Sequence, residues 1–133
     1  MQALHLIELL EVMRPIERRL GLVLLESGLT LTQFRVLLLL ENSLRTPSEL
    51  SSELGVSKPL ITGLLKDLER AGLVALAGCK LDRRSIRVHL IAAGKQRLKV
   101  ARLGVAVLEE KIGASNLRSA VAAIRGLERP HLE

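Results

Sequence analysis

The spacing of apolar residues predicts two helices in the first third of the chain. In residues 3–27, apolar side chains recur at helical intervals among charged neighbours: Leu4, Ile7, Leu10, Leu20, Val23 and Leu24. Pro15 predicts a kink or a restart, and Gly28 ends the stretch. Because Thr30 and Gln33 have the spacing of a capping box, a second helix should run from Leu31 to near Asn42.

The same capping device opens a short third helix at residues 47–54, with Thr46 as the cap and Pro47 at the first helical position. Gly55 ends this helix and Ser57 can cap the next, which Gly72 stops. One side of that fourth helix is apolar: Leu60, Ile61, Leu64, Leu65, Leu68 and Ala71. Lys58, Thr62, Lys66 and Arg70 lie elsewhere on the helix.

Period-two alternation then replaces the helical pattern. Residues 73–77 and 85–90 are typical of strands, and a loop with Gly78 and a basic cluster separates them, which predicts a hairpin. Helical patterns resume from Gly94 to about Lys111, and Ser115 is expected to cap a last helix that extends through Leu127.

Two helices joined by the turn "GVS" have helix-turn-helix spacing, although an ordinary helical hairpin shares it. A helix-turn-helix followed by a hairpin is a winged helix. The predicted fold is therefore mainly α-helical with a small β-hairpin wing, and 133 residues are expected to form one domain.

The distribution of charged residues indicates what kind of molecule the protein could bind. The formal net charge is +6, and residues 80–102 hold eight cations against the single anion Asp82. This concentration favours a polyanion, nucleic acid before anionic membrane, with an ordinary solvated face as the alternative. Apolar residues make up 48% of the chain, a surplus that suggests surface hidden in an oligomer.

The wing gives the basic cluster a specific use. Arginines at a hairpin tip stabilise the fold little, but they can reach a narrowed minor groove. Asp82 can hold Arg84 in a suitable orientation by a charge-assisted bond, and an ordinary surface pair is the alternative interpretation.

Three segments together resemble the MarR family of bacterial transcriptional regulators: "GLTLTQFRVLLLL", "TPSELSSELGVSKPLITGLLKDLERAGLV" and "DRRSIRVHL". The resemblance implies a homodimer in which residues 1–28 and 94–133 form dimerisation helices around a winged helix-turn-helix at 29–93. It implies that each recognition helix reads half of a pseudo-palindromic operator. The family's Asp-x-Arg wing motif falls on Asp82 and Arg84.

Three departures from the family pattern change the expected DNA contacts more than the fold. Gly63 stands where members commonly have an arginine in the recognition helix. Residues 75–77 are apolar where the first wing strand usually carries arginines, and Ile91 replaces a threonine that often caps the next helix.

Other functions have little support in the sequence. Cys79 is the only cysteine and is interpreted as incidental, and His5, His89 and His131 lack ligand spacing, so neither a metal nor a cofactor is expected. No nucleophile is paired with a base, so an enzyme is not expected. Many family members bind small aromatic molecules. Since Phe34 is the only aromatic residue and is expected in the core, an effector site here should be aliphatic.

These observations predict a cytoplasmic, dimeric DNA-binding regulator, a repressor, with double-stranded DNA, a second copy and a small-molecule effector as partners and no membrane segment. The residues predicted to enter the major groove are Ser57, Lys58, Pro59, Thr62 and Lys66, and those predicted to enter the minor groove are Arg83 and Arg84. Asp82 is predicted to hold the Arg84 side chain in position. Phosphate contacts are assigned to Arg45, Ser48 and Arg87. The alternatives are a winged-helix protein-interaction module and a nonspecific architectural DNA binder.

Overall fold

The computed structural model describes residues 4–79 and 81–128. Six helices and two strands follow one another: α1 (His5–Glu26), α2 (Leu31–Leu40), α3 (Pro47–Leu54), α4 (Lys58–Arg70), β1 (Val74–Ala77), β2 (Arg87–Leu90), α5 (Ala92–Ile112) and α6 (Ala114–Arg125). A 3-10 turn (Arg83–Ser85) precedes β2, and another (Gly126–Glu128) follows α6. Among these residues, no single helix is long and apolar enough to cross a membrane; α1 and α2 meet that test only as a pair bent by 71°.

The core lies where α2, α3, α4 and the hairpin meet the inner faces of α1 and α5. Its fully buried side chains are aliphatic: Leu24, Leu29, Val36, Leu37, Leu50, Ile61, Leu65, Leu68, Val74, Val88 and Leu98. Phe34 is buried, as predicted. Burial of this apolar surface is the main stabilising term, since the described residues bury no charged side chain.

The two strands pair antiparallel, with Val74 opposite Leu90 and Ala77 opposite Arg87. The hairpin packs closely against the start of α5. A Cβ on Gly94 would lie 2.0 Å from the carbonyl oxygen of Leu73, so only glycine fits this crossing. The absence of a side chain at Gly94 allows the base of the hairpin and the start of α5 to pack together.

Several predicted details were wrong. Ser115 does not cap α6, which begins at Ala114 after Gly113 and has no side-chain cap. Leu60 and Ala71 are exposed although their spacing places them with the buried side of α4, because the core reaches only the middle of that helix. The second strand begins at Arg87 rather than Ser85, which lies in the 3-10 turn. Pro15 lies inside α1, which continues without a restart.

Candidate nucleic-acid interface

Local hydrogen bonds fix the helix-turn-helix. The hydroxyl of Thr46 accepts the backbone N–H of Glu49 at 3.0 Å, and the Glu49 carboxylate accepts the backbone N–H of Thr46 at 3.1 Å. Gly55 ends α3 in the left-handed region (φ +67°), and Ser57 caps α4 by accepting the N–H of Leu60 at 3.3 Å. Both predicted caps are confirmed, and they set the angle at which α4 leaves the turn.

α4 buries Ile61, Leu64, Leu65 and Leu68 and turns its opposite side to solvent. The predicted major-groove residues all lie on the exposed part: Ser57, Lys58, Pro59, Thr62 and Lys66. Gly63 is exposed as well, with open space around the position of a Cβ. The exposed side of this helix therefore carries lysines before and after Gly63, where no side chain projects, and the acidic residues Asp67 and Glu69 nearer its end.

The wing tip is shaped by Asp82. Its carboxylate accepts the backbone N–H of Arg84 at 3.1 Å and lies 3.5 Å from Arg84 Nε. The hydroxyl of Ser85 bridges the two sides of the loop by donating to the carbonyl of Asp82 at 2.7 Å and accepting the N–H of Cys79 at 2.8 Å. The Arg84 side chain is 95% exposed, so this exposed ion pair contributes little stability and leaves the guanidinium open to a ligand.

The helix and the wing share one face. A cleft of about 380 Å³ lies between them, and its lining includes Thr62 and Lys66 from α4, Leu76 from β1, and Arg83 and Ile86 from the wing. Leu76 and Ala77, two of the three apolar residues that depart from the family pattern, thus line this cleft. Of the residues predicted separately for the major and the minor groove, Thr62, Lys66 and Arg83 line this common cleft.

The predicted phosphate contacts have different surroundings. Ser48 is exposed near the start of α3. Arg45 is 19% exposed at its side chain; its Nε donates to Glu53 at 2.9 Å, and it also contacts the Ser43 hydroxyl. Arg87 is exposed on β2 and donates to the Arg84 carbonyl at 2.9 Å. The sequence reasoning missed the Arg45–Glu53 pair, for which the spacing of these residues gives no signal.

One carboxyl group in this region has a shifted pKa. The backbone N–H and hydroxyl of Thr46 lower the pKa of Glu49, and the positive charges of Arg45 and Arg87 act in the same direction. The charged form of Glu49 is thus stabilised by the cap and by two nearby arginines.

Cys79 is a free, exposed thiol, and His131 and Lys80 lie outside the described residues. Within residues 4–79 and 81–128, no cluster of three or more His, Cys, Asp or Glu side chains could hold a metal ion.

The fold and this surface define a winged helix-turn-helix protein. The model of the MarR family matches residues 27–85, a segment that contains α2, the helix-turn-helix and the start of the wing. The resemblance of its motifs to the MarR family is confirmed by this match and by the regulators it is similar to. Members of this family are transcriptional regulators, which agrees with the expectation that the chain is not an enzyme.

Similar proteins carry regulator names. The HTH-type transcriptional repressor YetL of Bacillus subtilis (strain 168) is 37% identical over 75 residues, which are 54% of this chain and 45% of YetL, so the match spans less than half of that protein. The transcriptional repressor CouR, solved bound to a 23-mer DNA duplex, is 28% identical with a TM-score of 0.79, covering 92% of this chain and 90% of CouR. AbsC, a MarR family transcriptional regulator from Streptomyces coelicolor, is 26% identical with a TM-score of 0.74, covering 90% of this chain and 86% of AbsC.

Proposed function

We propose that this protein is a transcriptional repressor that binds a pseudo-palindromic DNA operator as a homodimer. The observation that carries the proposal is the cleft between α4 and the wing, which is lined by Thr62 and Lys66 of the helix and by Arg83 of the wing tip. Its likeness to a repressor solved on DNA supports the same use of the face.

In this proposal α4 enters the major groove. Ser57, Lys58, Pro59, Thr62 and Lys66 face the bases or the adjoining backbone, because all five are exposed and the first four lie at the N-terminal end of the helix. Arg83 and Arg84 enter the neighbouring minor groove, and the Asp82 carboxylate limits the positions that Arg84 can adopt. Ser48, near the start of α3, reaches a phosphate from the side.

The dimer is proposed from the location of exposed apolar side chains. Most of the large ones lie on the terminal helices: Leu6, Ile7, Leu10, Val12, Met13, Ile16, Leu22 and Leu25 on α1, Val100, Leu103 and Val107 on α5, and Val121 and Ile124 on α6. A second copy packed on these helices would bury this surface. Two recognition helices related by a twofold axis would then read half-sites about 10 to 11 bp apart.

A small-molecule effector that releases the operator is part of the proposal. With Phe34 buried in the core, its site must be lined mainly by aliphatic side chains and charged groups rather than by stacked aromatic rings. Such a protein acts in the compartment that holds the chromosome, so we expect it in the cytoplasm.

Fluorescence anisotropy tests the function. The protein is titrated onto labelled DNA from upstream of its own coding region and onto a scrambled duplex, at two salt concentrations. A preference of about 10³-fold or more for the native duplex is expected. Equal, salt-sensitive binding to both would favour an architectural DNA binder. Absence of binding to either would contradict the proposal and favour a protein-interaction module.

A further inference from the structure

The wing is attached to the helix-turn-helix by a pairing that involves Arg45. Its backbone forms an antiparallel bridge with Val88 of β2: the Val88 N–H donates to the Arg45 carbonyl at 2.7 Å, and the Arg45 N–H donates to the Val88 carbonyl at 3.3 Å. Its side chain binds Glu53 on α3 at 2.9 Å. Arg45 therefore joins β2 to α3 through both its backbone and its guanidinium.

Arg87, the residue before Val88, extends this connection to the wing tip. Its Nη1 donates to the carbonyl of Arg84 at 2.9 Å and to that of Ile86 at 3.3 Å. These two carbonyls flank Ser85 at the point where the 3-10 turn passes into β2. A guanidinium held on two backbone carbonyls restrains the backbone from which the Arg84 side chain projects.

Charge supports the same placement. Arg87 is close enough to Glu49, in the first turn of α3, to lower the pKa of that carboxyl, and Arg45 acts on the same group. The guanidinium of Arg87 is hydrogen-bonded to the backbone of the wing turn and lies within electrostatic range of an acidic group of α3. A guanidinium whose charge is partly balanced by Glu49, and which donates hydrogen bonds to backbone carbonyls, is less available to bind a DNA phosphate.

We propose that Arg87 is a positioning residue: it fixes the wing turn relative to α3 and so presents Arg84 to the minor groove, instead of binding a phosphate itself. This inference rests on the proposed DNA-binding function and replaces the phosphate contact predicted for Arg87 from the sequence. Arg87 lies outside the Asp-x-Arg motif, and in this proposal the contact of Arg84 with the minor groove depends on it.

The two roles predict different salt dependences. A cation that neutralises a phosphate releases a counterion, so its removal lowers the slope of log Kobs against log salt by about 0.9. Removal of a positioning residue weakens binding while the phosphate contacts, and hence most of the slope, are kept. A double mutant with Arg84 also distinguishes the two roles, because the effects of two substitutions on binding are not additive when both residues act through one contact.

The experiment compares Arg87→Met with Arg83→Met, which makes the same change of charge and shape at an exposed wing arginine. Each is measured on the operator over a range of salt, alone and combined with Arg84→Ala. For Arg87→Met we expect binding about tenfold weaker, an unchanged slope, and little further loss on adding Arg84→Ala. For Arg83→Met we expect the slope to fall.

Amide hydrogen exchange gives a readout that does not require DNA. The N–H groups of Ser85 and Ile86 bond to the carbonyls of Asp82 and Arg83 within the turn. Arg87→Met should speed exchange at these two amides, whereas Arg83→Met should leave them unchanged.

A slope that falls with Arg87→Met, together with an additive effect of Arg84→Ala and unchanged exchange, would establish a phosphate contact and overturn the inference. Unchanged affinity of Arg87→Met would overturn it as well. Failure of the unmodified protein to bind any duplex specifically would instead contradict the proposed function, and the inference with it.

Discussion

Replacing Gly63 by alanine should stabilise the protein. Gly63 lies in the interior of α4, its φ is not positive, and no neighbouring atom lies within 4 Å of where its Cβ would be. The glycine therefore meets no requirement of the fold. An exposed helix interior favours alanine over glycine by about 0.5 to 1 kcal/mol, because alanine loses less backbone entropy on folding.

The size of the effect is measurable. For a chain of this length, about 1 kcal/mol corresponds to a rise in Tm of about 2 to 4 °C. Thermal unfolding is followed by circular dichroism at one fixed protein concentration, since self-association would raise the Tm by mass action. Gly21→Ala is the matched control, because Gly21 also lies inside a helix with open space around its Cβ.

Gly94→Ala should act in the opposite direction, because its Cβ would meet the Leu73 carbonyl oxygen at 2.0 Å. A Tm that rises for Gly21→Ala but stays the same or falls for Gly63→Ala would refute the reasoning, and it would show that the conformation of α4 depends on glycine at this position.

Three further predictions concern DNA binding, pH and assembly. Arg84→Ala should weaken operator binding by about 10-fold or more without lowering the Tm, since the side chain is 95% exposed. An affinity equal to that of the unmodified protein, measured by fluorescence anisotropy, would contradict the assignment of Arg84 to the minor groove. Because the folded-state pKa of Glu49 is lowered, its stabilising effect is fully present above its ordinary pKa of 4.5 and is lost as the pH falls from there through the lowered folded-state pKa. Glu49→Gln should therefore reduce stability at pH 7 more than at pH 3 in urea unfolding. If α6 belongs to the proposed dimer interface, Val121→Asp should shift the protein from dimer to monomer in analytical ultracentrifugation, and a retained dimer would exclude α6 from that interface.

Most predictions that depend on neighbours along the chain agree with the structure, although the cap predicted at Ser115 does not. The capping boxes at Thr30 and Thr46 involve residues three positions apart, so the sequence contains both partners of each bond. The buried side of α4 was also predictable, except that Leu60 and Ala71 are exposed. Periodicity identifies a helix face but does not say how far along the helix the core extends.

Features that depend on distant parts of the chain were not predictable. The bridge between Arg45 and Val88 joins the segment before α3 to the second wing strand, and neither residue has a local signature for it. The ion pair between Arg102 and Glu41, which links α5 to the end of α2, is of the same kind. For the candidate site, residue types and exposure could be inferred, whereas the internal partners of Arg45 and Arg87 required the fold.

The lack of burial along α6 has a consequence for how the protein responds to its own concentration. None of the residues Ala114–Arg125 is buried in the single chain, and a helix of this length is marginal in water without tertiary support. If a second copy covers α6, the helix and the dimer form together. Helical content should then fall on dilution, and operator occupancy should rise more steeply than linearly with the number of chains in the cell.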